Sequence, residues 1–279
     1  MKWIFAFLLA VAIFGSAAYF GYKIFIRPEM IMRAEKEAAA NPHPTPDVSL
    51  PEFEAAKKLR DEGKLVEARS AFTALIQKYP GGLHAGEAQD LLGEVNTSIL
   101  LSNYPSPEKE EYIVRSGDVL ARVAQKLKST PELIMRTNNL SGTMLRIGQR
   151  LLVSHPEFSI LVQRNAKWLY LLDHQHFFKR YRLLDEKLPA NSAAKIETHV
   201  AEIMAWKDGK RIGIGSPHFL NSTRWIRLAA PGYILYSEPD DAHQILDIPP
   251  PNDGIGMSAT DVDELSSLVN PKTAVTVMQ

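Results

Sequence analysis

The hydrophobic pattern changes character several times along the chain. No residue from Trp3 to Tyr22 is charged, and Lys2 and Lys23 bound that run. Its 20 residues, at ~1.5 Å each, match the ~30 Å hydrocarbon core of a bilayer. Trp3, Tyr19 and Tyr22 stand near its ends, where interfacial aromatics belong. Residues 3–26 are therefore expected to form an uncleaved membrane anchor. A cleavable signal peptide, with Ser16 and Ala18 before the cut, is the rival reading, but the apolar run continues past that point. Residues 40–51 then carry Pro42, Pro44, Pro46 and Pro51, which predicts a stiff extended linker.

From 52 to 102 the period becomes helical. Phe53, Ala56 and Leu59 share one face, as do Leu65, Ala68, Phe72, Leu75 and Ile76, and then Ala88, Leu91, Leu92, Val95 and Ile99. Gly63 separates the first two helices and Pro80-Gly81-Gly82 ends the second. Residues 111–154 read as strand, helix, helix, strand. Tyr112-Ile113-Val114 alternates, Leu120, Val123, Ala124 and Leu127 make a short amphipathic helix, and Thr130 caps a second helix begun by Pro131. Residues 147–153 close the unit with a strand. From 157 to 279 short apolar runs recur at ~8–12-residue spacing, at 158–162, 167–172, 177–184, 202–206, 211–214, 225–228 and 233–236. A helix over 258–269, capped by Ser258 and Asp261, and a strand over 274–277 complete it. This predicts a mainly β sandwich or barrel. The fold class is multidomain: a transmembrane helix, an α-helical hairpin, a βααβ unit and a β domain.

Composition narrows the chemistry. Lys plus Arg and Asp plus Glu are 32 each, so the net charge is zero and no broad basic surface for nucleic acid is expected. Cysteine is absent, which excludes disulfides, thiolate metal sites, cysteine nucleophiles and a lipid anchor attached through cysteine.

Three segments resemble known families. The run DEGKLVEARSAFTALIQKYPGG over 61–82 resembles a tetratricopeptide repeat, with Gly63, Ala68 and Pro80 at its small-residue and terminator positions. Only about one and a half repeats are present, where a free-standing solenoid needs roughly three. A helical spacer and a groove that recruits cell-wall enzymes through 52–102 both remain open. Residues 111–154 resemble a LysM domain, with Tyr112, Val114, Gly117-Asp118, Leu120, Ala124, Leu133, Asn138, Leu140, Gly148-Gln149 and Leu151 in register. The resemblance implies binding of N-acetylglucosamine-containing glycan, notably peptidoglycan, in a groove between two loops. Carried over, the glycan-binding residues are Gly117, Asp118, Val119, Leu120, Asn138, Asn139 and Leu140.

Residues 157–279 resemble the L,D-transpeptidase catalytic domain, most specifically from Arg224 onward. Thr223-Arg224-Trp225-Ile226-Arg227-Leu228 with Gly232-Tyr233 is similar to the segment before that family's active-site histidine. Residues 257–265 and 273–277 are similar to its closing helix and strand. The family motif S-H-G-C-I-R-M falls on 251–257, Pro-Asn-Asp-Gly-Ile-Gly-Met. Gly254 thus replaces the nucleophilic cysteine, Asn252 the histidine and Gly256 the arginine, while the upstream His-Gly pair reads Tyr236-Ser237. Without a nucleophile the family's acyl transfer is lost, and a non-catalytic structural or binding module is expected. The alternative is an altered, hydrolytic chemistry using Asp253, Ser237 or Tyr236.

Other motifs are weaker. Ser192-Ala193-Ala194-Lys195 matches S-x-x-K by coincidence, since no core-length helix carries it. Asp240, Asp241 and His243 could line a metal site but read as a solvated loop, and His174 and His176 read as surface residues. No cofactor or metal is implied. The lysines and arginines at Lys23, Arg27, Arg33 and Lys36 favour a cytoplasmic C-terminal side. The wall-binding resemblance outweighs them and places the C-terminal domains in the periplasm or outside the cell, behind a single-pass anchor in the cytoplasmic membrane.

Overall fold

The computed structural model describes residues 47–188, 193–241 and 243–279. The anchor expected over 3–26 and residues 40–46 of the linker lie outside these. Among the described residues no helix is long and apolar enough to cross a membrane. The chain divides at Leu91/Leu92 into two compact units.

The first unit is built on helices α1 (Leu50–Asp61) and α2 (Leu65–Lys78). Phe53 and Ala56 face Ala68, Phe72 and Leu75, all at most 1 % exposed. Phe53 meets Phe72 edge-on at 6.4 Å and stacks on His84 at 4.5 Å. Gly63, at φ +74°, turns the chain between them, and Lys78 Nζ donates to Glu52 Oε1 at 2.6 Å. The linker expected to reach residue 51 gives way to helix at Leu50, because Pro51 sits in the first turn, where no N–H is needed.

The second unit begins within α3 (Ala85–Leu100). The helical segment was expected to end as a unit at 102, yet the last turns of α3 belong to the sheet. Asn96, 6 % exposed, donates from Nδ2 to the Phe178 carbonyl at 2.7 Å, and Leu100 joins the main core.

Next come β1 (Glu110–Ile113), α4 (Leu120–Lys126), α5 (Pro131–Thr137) and β2 (Arg150–Val153), the βααβ order of the sequence pattern. β1 and β2 pair antiparallel with Tyr112 opposite Leu151. Thr130 Oγ1 accepts from Leu133 N at 3.0 Å, the expected cap. Val114, Leu120, Val123, Ala124, Ile134, Met135, Leu151 and Val153 form this segment's core.

The rest is one mixed ten-stranded sheet rather than two stacked sheets. Its strands are β3 (Phe158–Gln163), β4 (Trp168–Asp173), β5 (His176–Arg182), β6 (Asp185–Lys187), β7 (Lys195–Lys207), β8 (Lys210–Ile212), β9 (Thr223–Leu228), β10 (Ile234–Glu238), β11 (Gly254–Ser258) and β12 (Ala274–Met278). Their order is β5-β4-β3-β12-β7-β9-β10-β11-β6, with β8 on β7. The joint is β7. Its first half pairs with β12 and its second with β9, with a register shift between Val200 and Glu202. Such a bulge bends the strand and lets one ladder serve both halves. Helix α6 (Ala259–Leu268) packs Val262, Leu265 and Leu268 onto the sheet, capped by Ser258 Oγ accepting from Asp261 N at 3.0 Å.

The βααβ segment does not hang free. Helix α5 buries five of its residues, so it faces two cores at once. Ile134 and Met135 fill its own segment, while Leu133 enters the core of the sheet. Between them lies a buried ion network. Arg224, wholly buried, donates to both Glu132 oxygens at 3.1 and 3.2 Å and to the Phe219 carbonyl at 2.6 Å. Arg136 bridges Glu132 at 2.9 Å and both oxygens of Asp263 on α6 at 2.7 Å. Burial pushes the Glu132 carboxyl up, opposed by Arg224 and Arg136. Thr137 Oγ1 and Thr130 Oγ1 add bonds to the Leu100 and Ser267 carbonyls at 2.9 and 3.3 Å.

Candidate functional site

The first candidate site lies at the loops of the βααβ segment. Gly117, at φ +82°, turns the chain between β1 and α4 with open space around its Cα. Asp118 Oδ2 then accepts from Arg115 N and Tyr112 Oη, both at 2.8 Å. The Arg115 amide first, then the tyrosine hydroxyl, hold its carboxyl below the usual carboxylate range. Val119 points outward at 47 % exposure. Leu120 does not line a groove with its side chain, which is 1 % exposed in the segment's core.

In the second loop the two asparagines part ways. Asn138 Nδ2 donates to the Ile134 and Leu152 carbonyls at 2.8 Å, and its Oδ1 accepts from Leu152 N at 2.8 Å. It clamps α5 to β2 and has no amide group left for a ligand. Asn139 is exposed at φ +52°, and Leu140 is half-buried against the core. The same loop carries Met144, which the sequence reading passed over, and Ile147, which it placed in the closing strand that instead begins at Arg150; they are 89 % and 75 % exposed. With Ile113 and Val119 they make four of the nine exposed large hydrophobics among the described residues, all within this short segment.

The second candidate is the sheet region around Gly254. Tyr236 and Gly256 lie opposite each other on parallel strands β10 and β11, which places the aligned positions side by side. The space a nucleophile would need is occupied. Gly254 has φ +144°, and a Cβ there would stand 2.5 Å from the Ile234 carbonyl oxygen and 2.9 Å from the Tyr236 ring. A Cβ at Gly256 would stand 2.6 Å from Glu238 Oε1. Tyr236 is fully buried with Met204, Trp225, Trp206, Ile234 and Ile248, and its hydroxyl donates to Asp185 Oδ2 at 3.2 Å. Burial, then the charges of Asp185 and Glu238, push its pKa to about 12.

Besides Tyr236, two residues are named for an altered chemistry, Ser237 and Asp253. Ser237 is 1 % exposed and its Oγ donates to the Arg224 carbonyl at 2.8 Å, so no base receives its proton. Asn252 and Asp253 are exposed in the loop before β11. Asp185 and Glu238, which press on Tyr236, left no motif in the sequence. Asp185 meets it only through strand pairing, whereas Glu238 stands two residues along the same strand, on the same face.

The remaining motifs resolve as local structure. Lys195 opens β7, and Ser192 lies outside the described residues. Asp240 caps α6 through Thr260 Oγ1 at 2.6 Å, and Asp241 Oδ1 accepts from His243 N at 2.7 Å. Among the described residues no cluster of histidines and carboxylates could hold a metal ion.

Among solved structures the chain is similar to an L,D-transpeptidase from Mycobacterium smegmatis, at 8 % identity and TM-score 0.31, over 48 % of this chain and 65 % of that one. It is also similar to the Enterococcus faecium L,D-transpeptidase, at 10 % identity and TM-score 0.30, over 68 % of this chain and 83 % of that one. The match thus spans just under two thirds of the mycobacterial enzyme's length. No curated protein matches the chain. Residues 112–154 match the LysM domain family model, over the same strands, helices and loops that the sequence register marks. This segment is a LysM domain.

Proposed function

We propose that the chain is a cell-envelope protein that holds N-acetylglucosamine-containing peptidoglycan through its LysM domain, beside a transpeptidase-like module that transfers no acyl group. The glycan reading is carried by the match of 112–154 to the LysM family and by the exposed Val119, Asn139, Met144 and Ile147 on the loops of that segment. Binding of the full chain to purified sacculi, with and without soluble muropeptide, tests it. Retention unaffected by Val119→Asp and Met144→Asp would place the glycan site elsewhere.

Absence of acyl transfer is supported by one observation. The motif register puts Gly254 at the nucleophile position, and there the Ile234 carbonyl and the Tyr236 ring occupy the volume of a side chain. A covalent intermediate needs an activated side chain at that point. Incubation with tetrapeptide-bearing muropeptides should give neither cross-linked dimers nor tripeptide. Turnover abolished by Ser237→Ala or Asp253→Ala would establish the hydrolytic alternative instead. The module then serves as architecture, since a fold persists without its chemistry. Single-pass anchoring through 3–26 belongs to the same proposal. A periplasm-active reporter fused after Gln279 should be active and a cytoplasm-only reporter silent; the reverse would vindicate the charges after Tyr22.

A further inference from the structure

A cavity of about 330 Å³ opens in the second unit, on the flank of α6, and Ser237 of β10 forms part of its wall. Its size lies at the lower end of the ~300–1,000 Å³ typical of small-ligand sites. Its charged groups are already paired, one of them with a residue outside the cavity. Lys207 Nζ donates to Asp247 Oδ1 at 2.9 Å, Asp247 Oδ2 accepts from Thr223 N at 3.1 Å, and Asp263 is held by Arg136. An incoming charge would find no uncompensated partner there, which disfavours anions and cations alike.

What remains uncommitted is neutral and polar. The Asn221 carboxamide has no hydrogen-bond partner among the described residues, and Gln244 uses only Oε1, which accepts from Asp240 N at 2.5 Å. Two carboxamides thus face the space with donors and an acceptor to offer. Beside them stand Leu220, Leu246 and Ile245, the last 94 % exposed at the mouth. Apolar wall and amide partners together suit a neutral ligand that joins a methyl, an amide and hydroxyl groups.

We propose that this cavity is a second saccharide site, taking an N-acetylated amino sugar of the same glycan that the LysM loops hold. The proposal rests on the glycan reading above for its source of ligand, but on separate residues. The cavity's Asp263 bonds to Arg136 of the LysM helix, and its Leu220 packs on the LysM core. The two sites therefore lie in one compact unit. A glycan strand bound at one raises the effective concentration of its own sugars at the other.

The test uses the full chain in detergent, with N-acetylglucosamine and its β-1,4-linked oligomers as probes and ligand-observed NMR as readout. Four proteins are compared: the parent, Val119→Asp, the Asn221→Ala/Gln244→Ala pair, and all three changes combined. Val119→Asp should leave residual N-acetylglucosamine binding, and the combined variant should lose it. The paired change alone should weaken binding of long oligomers, with each lost hydrogen bond costing about two- to tenfold in affinity. Glucose, lacking the acetamido group, should not bind in the Val119→Asp background. Complete loss of binding on Val119→Asp alone overturns the cavity and leaves the LysM reading intact. Loss with the paired change alone sustains the cavity and overturns the LysM loops. Binding of an N-acetyl dipeptide amide in place of the sugar, or residual binding that survives the combined change, overturns the assignment.

Discussion

Restoring the missing nucleophile should damage the fold before it restores any chemistry. In Gly254→Cys the new Cβ meets the Ile234 carbonyl oxygen at 2.5 Å and the Tyr236 ring at 2.9 and 3.2 Å. The carbonyl belongs to β10, which pairs with both β9 and β11, so it has little room to retreat. A side chain held at φ +144° adds backbone strain of ~1–3 kcal/mol. Overpacking a filled core adds another ~1–3 kcal/mol. The loss should total ~2–6 kcal/mol. In urea, at a slope of ~2 kcal/mol/M, that moves the midpoint of the sheet unit down by roughly 1–3 M. Gly254→Ala carries the same Cβ and should lose about as much. Adding Tyr236→Ala to Gly254→Cys removes the ring contact but not the carbonyl contact. An unchanged midpoint for Gly254→Cys would refute the claim that this position is sterically closed.

Glu132→Gln removes the carboxylate that buried Arg224 hydrogen-bonds, leaving it only Asp263 at 3.7 Å, and should cost ~3–5 kcal/mol. Hydrogen exchange should show α5 and α6 losing protection together; protection lost in the LysM domain alone would mean that the two segments are not coupled. Tyr236 should not ionise until about pH 12. Its unfolded counterpart loses the proton near ~10, so stability should fall with rising pH above that value, and Tyr236→Phe should remove the dependence from the 295 nm titration. The Asp118 carboxyl, held below its ordinary value by the Arg115 amide and Tyr112, contributes stability that is whole above pH ~4. That contribution is lost as pH falls through the folded value, so glycan retention should be flat from pH 5 to 7 and weaken only in stronger acid. Asp118→Asn should abolish that acid sensitivity; a retention step near neutrality would contradict it.

Much of the LysM segment was legible without coordinates, because its signals are local. The turn at Gly117, the Thr130 cap and the apolar periods of α4 and α5 each act within a few residues. The β domain announced its strands for the same reason: alternation is written into each one, and Ser258 beside Asp261 marks the helix start. Even the lack of a cysteine nucleophile is plain, since the chain contains no cysteine.

Pairing was not legible. Asp185-Glu186-Lys187 carries no apolar signal, yet it forms a strand because β11 offers it a ladder. The first half of β7 is recognised as strand only by its partner β12. Asn138 holds a position where the family resemblance implies a sugar contact, and its side chain clamps backbone through partners that depend on where Leu152 comes to lie. Burial across segments was hidden for the same reason. Glu132, Arg136, Arg224 and Asp263 look like four ordinary surface charges in sequence, and only the docking of α5 on α6 and β9 brings them together out of water. The local alphabet of strands, helices and caps follows from short-range sterics and periodicity. Which of those elements share a ladder, a core or a buried charge is a long-range choice, made by the total apolar surface that one arrangement can bury.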